Sequence, residues 1–576
     1  MFDKDRLAEI ERRRKEWEEG TLKPSLERLG MTESPRKFYT PLDIKNFDFL
    51  EKVGFPGEYP FTADVYTTPA LAVAMGGAAP TRLVRAGMYS GYGTAEDTRD
   101  YYKSSGRVGG PNIAFDLPTQ CGYDSDSPMA RGEVGKVGVA VDTLRDFEVI
   151  YENFVGNNDL DRIASNFTIN APCNIILAMY IALAEKREIP PAKLRGTPQN
   201  DILKEFVARG TYIFPPRPSM RMIRDTITYC TEHLPLMNTI SICGYHMREA
   251  GATGPQVLAY TFSNAIAYVQ LAIDAGLDVD VFLPRFTFLN FGGSMELFKE
   301  IAVNRAGRRM WAKIVRERFG SKNPRCWILR QVAAGGSGEA TKTVQRPLNN
   351  FTRAVLGGVA SALSGGVPFT GFPYDEPLGL GHSLEGWQLN IDAMRIMTLE
   401  AKLCEVTDPL AGSYYVESLT DQVEEEAWRE IEKIDAMGGA AAAIEKGYMQ
   451  REITKSAYQF QRALETGERV IVGVNQFTGE QELEVLPSRL VEHPYDPQKR
   501  ASAEEKQIAK LAGVKRERDN ESVQACLNRL DEAARDEEVN LIPPILEAVK
   551  AYATLGEMCH VLRGVFGEYQ AYNVAT

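Results

Sequence analysis

Residues 199–221 read QNDILKEFVARGTYIFPPRPSMR, and residues 244–253 read GYHMREAGAT. Each stretch follows a short strand-like run, and each carries polar groups that a core does not need. In the first, Gln199, Asn200 and Asp201 open an amphipathic helix that runs to Arg209 and an aromatic-proline turn. In the second, His246 stands in a glycine-bounded loop directly after the apolar run Thr239, Ile240, Ser241, Ile242. Where strands alternate with helices in a barrel, residues just past the strand ends face the active site. A cation and an imidazole placed there can clamp an anionic acyl substrate and polarise its carbonyl.

The same alternation extends outward from these stretches, from about residue 85 to 430. Strand candidates are 113–115, 162–168, 239–242 and 327–329; helices are expected over 174–187, 220–233 and 255–275. Strands alternating with longer helical segments predict parallel βαβ units. Periodicity alone leaves a barrel and an open sheet both standing, although the lack of a dinucleotide glycine fingerprint weakens a Rossmann reading. Before this region lie a charged helical segment, to about residue 35, and a proline- and aromatic-rich strap over 39–68. After it the chain turns charged and helical, with breaks at Gly438-Gly439 and Pro543-Pro544.

Composition narrows the class. At 576 residues the chain exceeds one ordinary domain. A net charge of −12 argues against nucleic acid as a partner. No apolar run reaches the ~20 residues that span a bilayer, and the acidic, mixed-charge N-terminus is neither signal nor transit peptide. A cytoplasmic protein is the expectation. The eight cysteines are scattered without a CxxC pair and read as reduced core thiols, and no metal site is expected from the chain's own ligands.

Several long motifs occur in one order: GFPGEYPFT (54–62), SGYGTAED (90–97), AFDLPTQCGYDSD (114–126), the two stretches quoted first, and YATLGEMCHVLRGVFGEY (552–569). On these the chain resembles the methylmalonyl-CoA mutase family of adenosylcobalamin-dependent acyl-CoA mutases, over nearly its whole length. The resemblance implies an α/β fold, a (β/α)8 TIM barrel with an N-terminal arm and a C-terminal helical region. The boundaries are 1–84 for the arm and the strap that lines coenzyme A, 85–430 for the acyl-CoA-binding barrel, and 431–576 for a helical linker or interface. A packed barrel ordinarily has no room along its axis; small polar residues such as Ser165, Asn166, Thr168 and Asn170 can admit a ligand there.

The resemblance also assigns roles, each beside a plainer reading. A loop histidine is usually structural; His246 matches the residue that donates a hydrogen bond to the thioester carbonyl. Arg209 could be an ordinary helix C-terminal cation paired along the helix surface with Glu205, but its register matches the arginine that grips a free carboxylate. Tyr89, otherwise a core aromatic, matches the tyrosine beside the adenosyl group that reaches the same carboxylate. Thr197 and Gln199 fit polar substrate contacts; Tyr66, Thr68, Arg82, Arg285 and Thr287 align with coenzyme A contacts. Glu376 and Glu249, with Tyr89, are the expected contacts to the cofactor's adenosyl group. Asp116 is an orienting carboxylate or a buried structural acid.

The implied reaction is a radical 1,2-shift of a carbon skeleton. The cofactor is adenosylcobalamin, but the cobalt-ligating Asp-x-His-x-x-Gly motif is not found in these 576 residues. That ligand is expected from a separate small cobalamin-binding subunit, making the protein a hetero-oligomer; the resemblance adds a G-protein chaperone as a further partner. The chain departs from the family pattern over 69–88, an insertion and altered arginine run that bear on the coenzyme A phosphate contacts, and over 330–338 and 372–386, where glycine-rich sequence suggests extra room near the reaction chamber. A carboxylated acyl-CoA of the methylmalonyl or succinyl type, or a bulkier substituted relative, is the leading substrate. The alternatives are an isobutyryl- or 2-hydroxyisobutyryl-CoA mutase large subunit and a non-catalytic scaffold subunit.

Overall fold

The computed structural model describes residues 3–34, 37–67, 93–104, 110–136, 138–331, 341–378, 384–479 and 497–571. Five short strands organise it: β1 (Asn112–Ala114), β2 (Ser165–Thr168), β3 (Gly196–Pro198), β4 (Ile240–Ile242) and β5 (Phe286–Phe288). All paired neighbours are parallel, with Asn112 opposite Asn166, Ser165 opposite Gly196, and Ile240 opposite Phe286. Single backbone bonds join the two sheets: Asn238 N donates to Gly196 O, and Ser241 N donates to Gln199 O, each at 2.9 Å. Beyond β5, Phe288 pairs with Gln331. From β1 to Gln331, spatial neighbours are therefore neighbours in chain order.

Parallel strands with helical crossovers are covered on both faces, and every residue of β4 and β5 is buried. The strands approach closely at Gly196, whose φ is 155° and where a Cβ would meet Ser165 O at 2.0 Å. The helix Cys173–Lys186 is almost wholly apolar as far as Ala184, with no polar face, and residues 173–184 are all buried. It meets β2 through Ser165 Oγ, which donates to Tyr180 Oη, and the helix Pro216–His233 through Asn174 Nδ2, which donates to Met222 O. The C-terminal helix Ile542–Lys550 covers it as well.

The expected helices form at 173–186, 216–233 and 254–274. Three strand candidates also form, the second shortened to Ser165–Thr168. The candidate at 327–329 does not. Asn323 caps a helical turn at Pro324–Trp327, with Pro at its first position, and the pairing with β5 falls later, at Gln331. β3 and β5 are not among the strand candidates; like β1 and β4 they are three residues long, too short for a periodic signal, and β3 (Gly196–Pro198) has no apolar run to mark it. A closed eight-stranded barrel is not completed among the described residues, which hold one three-stranded and one two-stranded parallel sheet. The coarser reading, an α/β protein of parallel strands, stands. Among the described residues no helix is long and apolar enough to cross a membrane.

The closing motif 552–569 buttresses the loops at the C-terminal ends of the strands. Arg563 donates to Cys121 O at 2.6 Å and Gly122 O at 2.9 Å, Thr554 Oγ1 donates to Asp124 at 2.6 Å, and Tyr569 N donates to Ile213 O at 3.0 Å. The strap is held elsewhere: buried Arg308 donates to Phe61 O (3.0 Å) and Thr62 O (2.6 Å).

Candidate active site

Four consecutive strands each deliver polar side chains from the residues just past their C-terminal ends. β1 leads to Asp116 and Gln120, β2 to Asn170, β3 to the run from Gln199 to Arg209, and β4 to Cys243 and His246. Gln120, Asn170, Cys243 and the groups of the 199–209 run are bonded to one another. Asn170 Nδ2 donates to Gln199 Oε1 (3.2 Å) and Glu205 Oε1 (2.8 Å), while its Oδ1 accepts from Asp201 N and Lys204 Nζ, both at 3.1 Å. Gln199 Nε2 donates to Cys243 Sγ at 3.0 Å. Asp201 accepts from Cys243 N (2.8 Å) and Tyr268 Oη (2.7 Å). Burial pushes the Cys243 thiol up, so it is a neutral partner and no nucleophile.

Lys204 and Glu205 are both fully buried and paired with each other. Ile202 to Val207 are buried in succession, so this stretch has no outward face, and Glu205–Arg209 forms a π turn. Gly210, at φ 88°, ends the turn in the left-handed region, and Thr211 folds back so that its N (3.0 Å) and Oγ1 (2.6 Å) donate to Glu205 Oε2. Burial alone would raise the Glu205 carboxyl, but Lys204 and Arg209 hold it below the usual range. Arg209 Nη1 donates to Gln120 Oε1 at 2.8 Å, and to Glu205 Oε1 and Thr211 Oγ1 at 3.3 Å each. The plain reading of a surface Arg209–Glu205 pair is thus corrected: the pair exists, but its carboxylate lies in the interior and also serves Lys204.

His246 lies on the short helix Tyr245–Glu249, its ring against that of Tyr245 with centroids 3.9 Å apart. Among the described residues its buried Nδ1 has no hydrogen-bond partner. Burial, then the positive charges of Lys204 and Arg209, hold the imidazole well below its ordinary pKa. A neutral ring with an unengaged buried nitrogen can donate to a substrate carbonyl without first breaking a bond there. Asp116 is fully buried, accepts from Thr119 N (2.9 Å) and Gly135 N (2.7 Å), and is pushed up to about 6 by burial. It caps the turn that carries Gln120.

The remaining sequence-predicted residues fall into separate groups. At the opposite, N-terminal ends of the strands, Thr197 Oγ1 accepts from Asn238 Nδ2 (2.7 Å), whose Oδ1 accepts from Arg330 (3.3 Å). Arg285 is depressed by burial and by repulsion from Arg195 and Arg325; Arg330 is depressed by burial, feels Arg285 as a like charge, and has Tyr66 in electrostatic reach. Arginines gathered this way form a place for an anion. Thr287 lies inside β5, its Oγ1 donating to Ile240 O at 2.8 Å. Glu249 is partly buried, three residues after His246, and Glu376 opens a short turn at 376–378, also partly buried. Thr68, Arg82 and Tyr89 lie outside the described residues, as do most of the three divergent segments.

Sequence reasoning missed Gln120, Lys204 and Thr211 as parts of this site. The adjacent Lys-Glu pair inside an otherwise apolar helix was a signal; Gln120 lies in the motif at 114–126, but nothing in that motif singled it out.

A parallel α/β protein with its reactive groups at the strand C-termini is the arrangement of an enzyme. Residues 32–568 match the methylmalonyl-CoA mutase family. The chain is 38% identical over 577 residues to the 2-hydroxyisobutanoyl-CoA mutase large subunit of Aquincola tertiaricarbonis, with 98% of each chain covered. It is 39% identical over 543 residues to the methylmalonyl-CoA mutase of Escherichia coli K12, covering 93% of this chain and 71% of that one. Against the human mitochondrial methylmalonyl-CoA mutase the identity is 37% over 487 residues, 84% of this chain and 62% of that one. The chain belongs to the methylmalonyl-CoA mutase family, and it is an isomerase of the intramolecular transferase class.

Proposed function

We propose that this chain is the large, substrate-binding subunit of an adenosylcobalamin-dependent mutase that rearranges the carbon skeleton of a carboxylated acyl-CoA, of the methylmalonyl-CoA/succinyl-CoA kind. The observation that carries the reading is His246, neutral, with a buried Nδ1 that has no partner among the described residues, and in electrostatic reach of Arg209. The two side chains suit the two ends of such an acyl group, its thioester carbonyl and its free carboxylate. The arginine cluster before β3 and around β5 suits the phosphates of coenzyme A. A CoA ester running from one set of strand ends to the other is supported by the strand order, which fits a (β/α)8 barrel with the ligand along its axis.

The donor set at the strand ends also fits the adenosyl group: Glu249, on the helix of His246, and Glu376 are partly buried carboxylates able to accept from ribose hydroxyls. When bound, the cofactor supplies the radical chemistry. The chain's own groups do the rest. Arg209 fixes the carboxylate, His246 stabilises negative charge on the carbonyl oxygen, and the loops held by residues 552–569 keep water out.

The full-length likeness to a protein named a large subunit supports a small cobalamin-binding subunit as partner in a hetero-oligomer; a G-protein chaperone is a further proposed partner on the family resemblance alone. The same likeness favours a second reading, a large subunit acting on isobutyryl- or 2-hydroxyisobutyryl-CoA, in which Arg209 would have no substrate carboxylate to bind. The test is turnover by the purified chain with adenosylcobalamin, with and without a small subunit carrying Asp-x-His-x-x-Gly, on methylmalonyl-CoA, bulkier carboxylated esters and 2-hydroxyisobutyryl-CoA. Conversion of a carboxylated ester that depends on the small subunit is expected. Preference for the neutral ester selects the second reading, and full turnover by the chain alone overturns the two-subunit arrangement.

A further inference from the structure

We propose that Gln120 is a positioning residue that sets substrate specificity by holding the Arg209 guanidinium off Glu205 and presenting it to an incoming carboxylate; this rests on the carboxylate reading of Arg209 above. The lengths of two hydrogen bonds carry it. A bond from a guanidinium to a carboxylate is ordinarily the shorter kind, about 2.7–2.9 Å. At Arg209 the order is reversed: the neutral amide of Gln120 lies 2.8 Å from Nη1, whereas the Glu205 carboxylate lies at 3.3 Å. The guanidinium is thus turned toward the weaker acceptor.

Two features of the fold enforce this. Glu205 is already engaged, with Lys204 and Asn170 on Oε1 and Thr211 on Oε2. Gln120 is fixed as an acceptor. It is buried, and its Nε2 donates to Phe115 O at 2.6 Å, so only Oε1 is left to face Arg209. Its turn is capped by Asp116, and the next two residues, Cys121 and Gly122, have their carbonyls held by Arg563. Gln120 and Glu205 therefore reach Arg209 from different elements, the loop after β1 and the π turn after β3. Without Gln120 the guanidinium relaxes onto Glu205, and that internal ion pair then competes with a substrate carboxylate. An uncharged acyl group does not experience the competition.

Binding to the full chain, measured by calorimetry with succinyl-CoA and butyryl-CoA, tests this in Gln120→Met, Arg209→Gln and the double variant. Met keeps the length of the side chain but supplies no amide. Gln120→Met is expected to weaken succinyl-CoA by about 10–150-fold, the range of a lost hydrogen bond to a charged group, and to leave butyryl-CoA within about twofold. The double variant should bind succinyl-CoA no more weakly than Arg209→Gln, because Gln120 acts only through Arg209. Gln120→Glu, which places a second anion beside the guanidinium, should weaken succinyl-CoA at least as much as Met does. Equal losses for both esters in Gln120→Met, unchanged succinyl-CoA binding, or additive losses in the double variant overturn the role of Gln120 while Arg209→Gln still discriminates. If Arg209→Gln fails to discriminate between the esters, the carboxylate reading falls, and the proposal with it.

Discussion

Arg209→Gln is expected to lower the specificity constant for a carboxylated acyl-CoA by roughly 10²–10⁴-fold, about 3–5 kcal/mol, while a neutral ester such as isobutyryl-CoA is relatively favoured. The size follows from what the substitution strands. A substrate carboxylate in a water-poor chamber needs a counter-charge, and the guanidinium fork can supply two parallel bonds where a glutamine supplies one weaker one. The competing reading, an i,i+4 pair on a helix surface, predicts a change of only a few tenths of a kcal/mol. Glu205 does pair with Arg209, but it is buried and keeps Lys204 as a partner once Arg209 is gone. The variant should therefore fold, and its loss should appear in catalysis. Steady-state kinetics with methylmalonyl-CoA and isobutyryl-CoA decide the matter. Unchanged discrimination between them would show that Arg209 is not the carboxylate clamp.

His246→Ala should leave CoA-ester binding largely intact and lower turnover by roughly 10²–10³-fold, the cost of removing one donor to a carbonyl on which charge develops. Nδ1 has no partner within the described residues, so the substitution breaks no internal hydrogen bond there. The pH dependence carries a second check. Burial and two nearby cations place the folded-state pKa of His246 well below its ordinary value, so the imidazole stays neutral as pH falls through about 6.5. Turnover should accordingly show no inflection near that pH assignable to His246. Stability moves in the same sense: the unfolded chain takes up the proton first, so the His246 contribution is present above about 6.5 and declines below it. A loss in binding matched by unchanged turnover would reduce His246 to a structural contact. An inflection near 6.5 that disappears in His246→Gln would contradict its neutral state.

Much of the site was legible before any coordinates. An apolar run closed by Gly244 and followed by His246 marks a strand end with a polar group beyond it, because parallel strands are short, buried and terminated abruptly. The position of Gln199, directly after a three-residue strand, was legible only through the longer motif around it, since three residues carry no period. Helices 173–186, 216–233 and 254–274 were readable because their apolar positions recur through three or more turns. The candidate strand at 327–329 failed where Asn323 and Pro324 nucleate a helical turn, a local signal that the apolar run Trp327 to Leu329 outweighed in the linear reading.

The sequence by itself determined the family, the alternation of parallel strands and helices, and His246, Arg209 and Gln199 as the groups at their ends. The tertiary structure alone decided the state of those groups. Lys204 and Glu205 are adjacent in the chain, and both are buried because the whole run Ile202 to Val207 is packed inside the structure, where each charge has the other as partner. Gln120 and Arg209 are 89 positions apart, joined only because β1 and β3 flank β2 in one parallel sheet and open their loops at the same end. Hydrogen-bond partners and electrostatic surroundings are set by distances through space. A linear pattern fixes which residues reach a strand end, and the packing of one strand end against the next fixes which of them touch.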